Sequence, residues 1–300
     1  MHLGNVFSVL MAWLDARAAG GRIVMRIEDL DPRAQDPALA RLLMDDLAWL
    51  GLDWDEGPYW QSQRTDLYAQ ELARLEDRGL TYPCFCTRSQ LHAASAPHAS
   101  DGTYVYQGTC RGLSAAEVAE RALTRAPATR LRVPDGGDAS GTIRFEDLVW
   151  GAQAEVLARD CGDFLVRRSD GVFAYQLAVS IDDALMGVTH VVRGRDLLGS
   201  VARQSYLIGL LGHAAPTYAH VPLLVAPDGR RLSKRERDLD LGVLRAQGVT
   251  PQRIVGRLAH AVGLAATNED IGASSLVERF SWDAVRAKRN DIVVDSSFLL

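Results

Sequence analysis

The stretch Arg22-Ile23-Val24-Met25-Arg26-Ile27-Glu28-Asp29-Leu30-Asp31 sets the architecture. Its first six residues read as a short buried strand, and the acidic run that follows marks the strand's end. Upstream, Val6, Val9, Leu10, Trp13 and Leu14 recur at helical spacing and form one apolar face, which Gly20-Gly21 terminates. Downstream, Asp36 followed by Pro37 is a helix start, with Leu39, Leu42, Leu43, Leu47 and Leu50 as its expected buried stripe. A third helix runs through Leu67, Leu72 and Leu75 to about Gly79. Helix and strand in alternation predict an α/β layer fold.

Beyond Cys84 the pattern changes. Up to about His190, Gly, Ser, Pro and Asp punctuate short β-like runs such as Thr129-Arg130-Leu131-Arg132-Val133 and Gly171-Val172-Phe173-Ala174-Tyr175. This is the pattern of an inserted, sheet-rich subdomain. Helical spacing returns from Ala202 to Leu211, followed by a strand candidate from His220 to Val225. Two or three short helices are expected between Val249 and Leu300.

Composition narrows the function. The 300 residues are 47% hydrophobic and 24% charged, the balance of a globular chain with enough apolar material for a core. Apolar runs fall far short of the ~18 residues of a membrane span, and Met1-His2-Leu3-Gly4 lacks the basic start of a signal peptide, so a cytoplasmic protein is expected. A net charge of −5 argues against nucleic-acid binding through bulk basicity. Of 33 basic residues only Lys234 and Lys288 are lysines, a composition in keeping with coding bias. A surviving lysine is then less often a casual surface charge. Four cysteines make no disulfide framework.

Three elements carry chemistry. His2-Leu3-Gly4-Asn5 directly precedes the first helix, where imidazole and backbone N–H groups can hold a phosphate and glycine allows close approach. Arg231-Leu232-Ser233-Lys234-Arg235 follows a turn at Asp228-Gly229; a lysine beside a serine on such a loop can neutralise charge growing on a phosphate. Cys84-x-Cys86 with Cys110 reads as a structural zinc site lacking one ligand, against the alternative of reduced, uncoordinated thiols. Cys161 stands apart and reads as a small buried residue.

The first two elements resemble the HIGH and KMSKS signatures of class I aminoacyl-tRNA synthetases. Further segments are similar to the glutamyl/glutaminyl core: Arg26-Ile27-Glu28-Asp29-Leu30-Asp31, Gly51-Leu52-Asp53-Trp54-Asp55-Glu56-Gly57-Pro58, Gln61-Ser62-Gln63-Arg64 and Tyr82-Pro83-Cys84-Phe85-Cys86. So are Ala174-Tyr175-Gln176-Leu177-Ala178-Val179 and Val192-Arg193-Gly194-Arg195-Asp196-Leu197. Only 65 residues follow Arg235, too few for an appended anticodon-binding region, so within that group the chain resembles the short glutamyl-queuosine tRNA(Asp) synthetases. The resemblance implies a Rossmann-like parallel sheet in residues 1–83 and 191–245, a zinc-bearing insertion in 84–190 and a helical region in 246–300. It implies a monomeric enzyme that activates L-glutamate with ATP and Mg²⁺ without tRNA. The glutamyl group then passes to queuosine in the anticodon of tRNA(Asp). The alternatives are a truncated or divergent glutamyl-tRNA synthetase charging a 3′ end, and an inactive RNA-binding paralogue.

By the same resemblance, His2, Gly4, Asn5, Ser233 and Lys234 contact ATP, with Lys234 and His2 acting on the transferring phosphate. Glu28, Tyr175 and Arg193 bind glutamate, the arginine through its planar fork. Zn²⁺ takes Cys84, Cys86, Cys110 and Tyr106, while His92 and His98 compete for the fourth place. Arg111, Arg130, Arg132, Arg167 and Arg168 are basic positions in the insertion that could track RNA phosphates. The family pattern also has a strand and an Arg-x-Ala-Pro-Ser-Pro-type loop before the motif histidine; here Met1 stands there instead. Weak stability or activity is expected unless the chain is extended upstream.

Overall fold

A computed structural model describes residues 1–32, 35–87, 90, 105–136, 141–230, 232, 239–295 and 297–299. Helix α1 (Leu3–Ala18) buries Leu3, Val6, Phe7, Leu10, Met11 and Leu14 in the larger of two main cores, as its apolar period requires. Helix α2 (Pro37–Leu50) is capped as expected, the Asp36 carboxylate accepting from the Ala38 N–H. Its buried face differs from the expected stripe. Ala40, Leu43, Leu47 and Leu50 turn inward, whereas Leu39 and Leu42 are 55% and 54% exposed. The leucine at every third or fourth place fits two overlapping faces, and the inward one also carries the buried Asp46.

Strands β1 (Val24–Ile27) and β2 (Glu56–Trp60) form a parallel pair. Helix α3 (Thr65–Asp77) leads to an antiparallel sheet of β3 (Thr81–Cys84), β4 (Ala128–Leu131) and β7 (Phe164–Arg167). The expected parallel core is in fact mixed. Strands β8 (His190–Gly194) and β9 (Thr217–Val221) run parallel, and β5 (Thr142–Asp147) joins β9 in parallel through Asp147 and Tyr218. Strand β6 (Gly151–Val156) closes the order β6-β5-β9-β8 antiparallel to β5. The inserted region thus shares a sheet with β8 and β9.

Two expected strands divide. Within Gly171 to Tyr175 only Phe173 bridges back, to Arg167, and Tyr175 opens helix α6 (Tyr175–Leu185). A tight return at Gly171, with φ +90°, exhausts the run before a strand can form. His220 to Val225 splits at Pro222 into the end of β9 and β10 (Leu224–Val225). Helix α7 (Val201–Leu210) and the terminal helices α9 (Pro251–Ala261) and α10 (Trp282–Ala287) follow the sequence reading. The short β11 (Ile292–Val293), parallel to β10, was not expected. Helices α4 (Ala115–Ala122), α5 (Leu157–Asp160) and α8 (Leu241–Ala246) complete the described α-helices, beside 3-10 turns at Gln61–Gln63, Arg195–Ser200 and Ala273–Arg279.

Buried charge ties these layers. Asp182 on α6 has no exposed surface, and its carboxylate accepts from Gln61 Nε2 (2.9 Å), Arg64 Nε (2.8 Å) and Tyr68 Oη (2.8 Å). Its neighbour Asp183 accepts from Arg26 Nη1 of β1 at 2.8 Å. Asp29, just after β1, holds the Ser62 N–H and hydroxyl at 2.8 and 2.5 Å. At β2, a Cβ on Gly57 would lie 2.3 Å from the Met25 carbonyl oxygen, so glycine alone fits that approach. Asp182→Ala, which strands three buried donors, should lower unfolding free energy by about 3–5 kcal/mol. A urea titration checks this; a loss below about 1 kcal/mol would show the carboxylate to be structurally idle.

Candidate active site

The N-terminus of α1 meets the end of β8 across a cleft of about 210 Å³. His2, Gly4, Asn5 and Ser8 line one side, and Arg193, Gly194, Asp196 and Leu197 the other. A Cβ on Gly4 would press within 3.1 Å of the His2 ring, so glycine keeps the imidazole close to the helix start. The sixteen-residue helix presents its unbonded N–H groups at this end, a natural place for an anion. Leu232 also lines the cleft, and both Leu232 and Leu239 belong to the core that buries α1. His2 bridges to Asp240. The two anchored ends of the loop thus converge on His2, while Arg231, Ser233, Lys234 and Arg235 lie outside the described residues.

Glu28, Tyr175 and Arg193, far apart in sequence, come together beside this cleft. Glu28 stands one residue past β1, within 3.3 Å of Arg26 Nη2. Tyr175 is the first residue of α6, and Arg193 Nη1 donates to its hydroxyl at 3.5 Å. Burial raises the Tyr175 pKa, the Arg193 charge opposes that, and the nearby Glu28 and Asp183 carboxylates reinforce it. Tyr175 therefore stays a neutral donor. The site offers one guanidinium, one phenol and one carboxylate, which suit an amino acid bearing both charges.

Sequence reasoning missed two members of this region. Arg193 Nε donates to His220 Nε2 at 3.0 Å, and His220 Nδ1 lies 2.6 Å from Asp147 Oδ2, with both side chains fully buried. Asp147 also accepts the N–H groups of Val149 and Trp150. Burial alone would raise the Asp147 pKa, but the His220 hydrogen bond and these N–H groups hold it below the ordinary value. Burial, with help from Arg193, lowers His220 below its ordinary 6.5 against the pull of Asp147. A histidine inside an apolar strand pattern carries no sign of such a pair.

The cysteines meet in the antiparallel subdomain. Sγ atoms of Cys84, Cys86 and Cys110 lie within 4.8 Å of one another. Cys86 Sγ is 3.6 Å from Cys110 Sγ, and Tyr106 Oη is 3.5 Å from both Cys84 Sγ and Cys86 Sγ. Donors of a tetrahedral zinc are separated by about 3.8 Å for two sulfurs and about 3.5 Å for sulfur and oxygen, so these four atoms fit the ion. Arg130 Nε donates to Cys84 Sγ at 3.3 Å, and its guanidinium lies 3.8 Å above the Tyr106 ring. His92 and His98 lie outside the described residues. Cys161 is buried elsewhere, its thiol pushed up to about 12 by desolvation.

Of the arginines of the insertion, Arg130 is buried, Arg167 is exposed and Arg111, Arg132 and Arg168 are half-buried. Arg130 also donates to the Asp163 carbonyl, Arg111 to the Val133 carbonyl and to Asp135, and Arg132 to the Arg111 carbonyl. Arg167 donates to the Gly171 carbonyl, and Arg168 pairs with Asp31 and Asp170. No described helix is long and apolar enough to cross a membrane.

Residues 1–292 match the family described as tRNA synthetases class I (E and Q), catalytic domain, and the chain belongs to that family. A Symbiobacterium thermophilum protein named Glutamyl-Q tRNA(Asp) synthetase is 47% identical, over 97% of this chain and 91% of its own length. Its namesake in Deinococcus radiodurans is 43% identical over 96% of this chain and 94% of its own length. Glutamate–tRNA ligase 1 of Halorhodospira halophila is 40% identical over 99% of this chain, but only 66% of that protein is covered. A solved glutamate tRNA ligase from Elizabethkingia meningosepticum, in complex with its amino acid, superposes over the whole chain with a TM-score of 0.81 at 25% identity. The chain spans 65% of its length.

The buried His220 gives a pH signature. Its depressed pKa means that the unfolded chain binds an extra proton between the folded value and 6.5, so stability falls as pH drops below 6.5. The urea midpoint should therefore decline from pH 7 to pH 5 more steeply in the wild type than in His220→Gln. Equal slopes would place the acid sensitivity elsewhere.

Proposed function

We propose that this chain activates L-glutamate with ATP, without tRNA, and transfers the glutamyl group to queuosine in the anticodon of tRNA(Asp). The observation that carries this reading is the convergence of Glu28, Tyr175 and Arg193 beside the His2 cleft. Relatives named Glutamyl-Q tRNA(Asp) synthetase are matched over nearly their full length. The ligase that charges glutamate onto tRNA is matched over two thirds of its length and at lower identity.

Adenylation needs no side-chain nucleophile. The glutamate α-carboxylate attacks the α-phosphorus, the bond to the bridging oxygen breaks, and pyrophosphate leaves. Positioning and charge stabilisation do the rest. Arg193 takes a substrate carboxylate in its fork, Glu28 takes the ammonium, and Tyr175 donates a hydrogen bond. His2, Gly4 and Asn5 hold ATP phosphate at the α1 terminus, and Ser233 and Lys234 contact ATP, Lys234 offsetting charge on the transferring phosphate. Mg²⁺ bound with ATP would supply neutralisation of the phosphate charge. Cys84, Cys86, Cys110 and Tyr106 would hold Zn²⁺, which would pin the subdomain in a structural rather than catalytic role.

Glutamate-dependent ATP–pyrophosphate exchange in the absence of tRNA tests the first step. Lys234→Ala should reduce exchange by about 10²-fold or more with an unchanged melting temperature, the scale of losing one charge-stabilising donor. Exchange untouched by Lys234→Ala would refute the mechanism. The purified chain should carry about one zinc per molecule, and Cys110→Ser should release it and lower stability. Well under one equivalent in the wild type would remove the metal.

A further inference from the structure

Arg193 is anchored in an unusual way: its Nε leans on a histidine instead of a carboxylate. An arginine is always a donor, so His220 Nε2 must be the acceptor and its proton sits on Nδ1, facing Asp147 Oδ2 at 2.6 Å. Arg193 Nη2 donates to the Leu197 carbonyl at 3.2 Å, and Nη1 to Tyr175 Oη at 3.5 Å. Three of five N–H groups are thereby spent, leaving one on each terminal nitrogen, the pair a carboxylate accepts end-on. A neutral acceptor fixes the guanidinium plane without setting a negative charge directly against it. A carboxylate in the same place would fix the plane but cancel the charge the substrate needs.

We propose that Asp147 and His220 are positioning residues that orient Arg193 for the substrate carboxylate. The inference rests on the reading of Arg193 as the glutamate clamp. Asp147 holds the imidazole tautomer, the imidazole holds Nε, and the fork faces the substrate. Protonation of His220 would set an Nε2–H against the Arg193 Nε–H and break the contact. The charged and titratable groups facing His220 are Asp147 from β5, Arg193 from β8, Asp196 after β8, and Tyr218, stacked on its ring within β9. Glutamate affinity should therefore weaken on acidification as His220 titrates.

Calorimetric titration of the full chain with glutamate tests this in the wild type, Arg193→Ala, His220→Phe, His220→Gln and Asp147→Asn. Arg193→Ala should weaken glutamate at least about 30-fold. His220→Phe should weaken it about 10-fold, the loss of one hydrogen bond to a charged group, with ATP affinity within about 3-fold of wild type. His220→Gln, whose amide can accept from Nε and donate to Asp147, should recover most of the affinity. Loss of affinity in Arg193→Ala with His220→Phe and Asp147→Asn unchanged would overturn the positioning role and leave the clamp standing. No loss in Arg193→Ala would overturn both. Should His220→Phe not fold, Asp147→Asn decides, and a glutamate affinity equal to that of the wild type overturns the proposal.

Discussion

A carboxylate with no exposed surface must have its charge answered inside the protein, and Asp182 imposes that demand on everything around it. Its answer comes from Gln61, Arg64 and Tyr68 across the interface with α3, with Arg26 Nε of β1 at 3.7 Å. Asp183 and Arg26 extend the same clamp. The consequence is positional. Tyr175 rides at the head of the helix that carries both aspartates, and Glu28 stands two residues beyond Arg26, so the network fixes their separation. The proposed amino-acid site thus stands at the ends of regular elements that this network holds together.

Electrostatics inside the site follow one logic. Burial, with Glu28 and Asp183, keeps Tyr175 protonated, and burial with Arg193 keeps His220 neutral. Burial also raises Asp183, which Arg26 partly counters. Each neighbour of Arg193 is thus held in a form that leaves the guanidinium charge available. The acidic overall balance, a net charge of −5, leaves RNA recognition to local contacts.

Much of this was legible in the sequence where the signal is local. The α1 apolar period and the Asp36 cap are short-range patterns that the structure reproduces, and the Cys84, Cys86 and Cys110 thiols also come together. The failures are long-range. Leu39 and Leu42 satisfy a helical period yet face outward, because the partner surface selects between two possible faces. Tyr175 sits in a β-like run but starts a helix, because a glycine return consumes the residues before it. Asp147 and His220 lie 73 positions apart on separate strands, and only the parallel registration of β5 with β9 unites them. No single-chain periodicity encodes such a pair.

The central claim is that the clamp and cleft serve a glutamyl transfer to a modified anticodon base. The most direct measurement supplies radiolabelled glutamate and ATP with tRNA(Asp) from cells that make queuosine, tRNA(Asp) from cells that do not, and tRNA(Glu). Label on the queuosine-containing tRNA(Asp) alone is the predicted result. Label on tRNA(Glu), or equal label on both forms of tRNA(Asp), would contradict it.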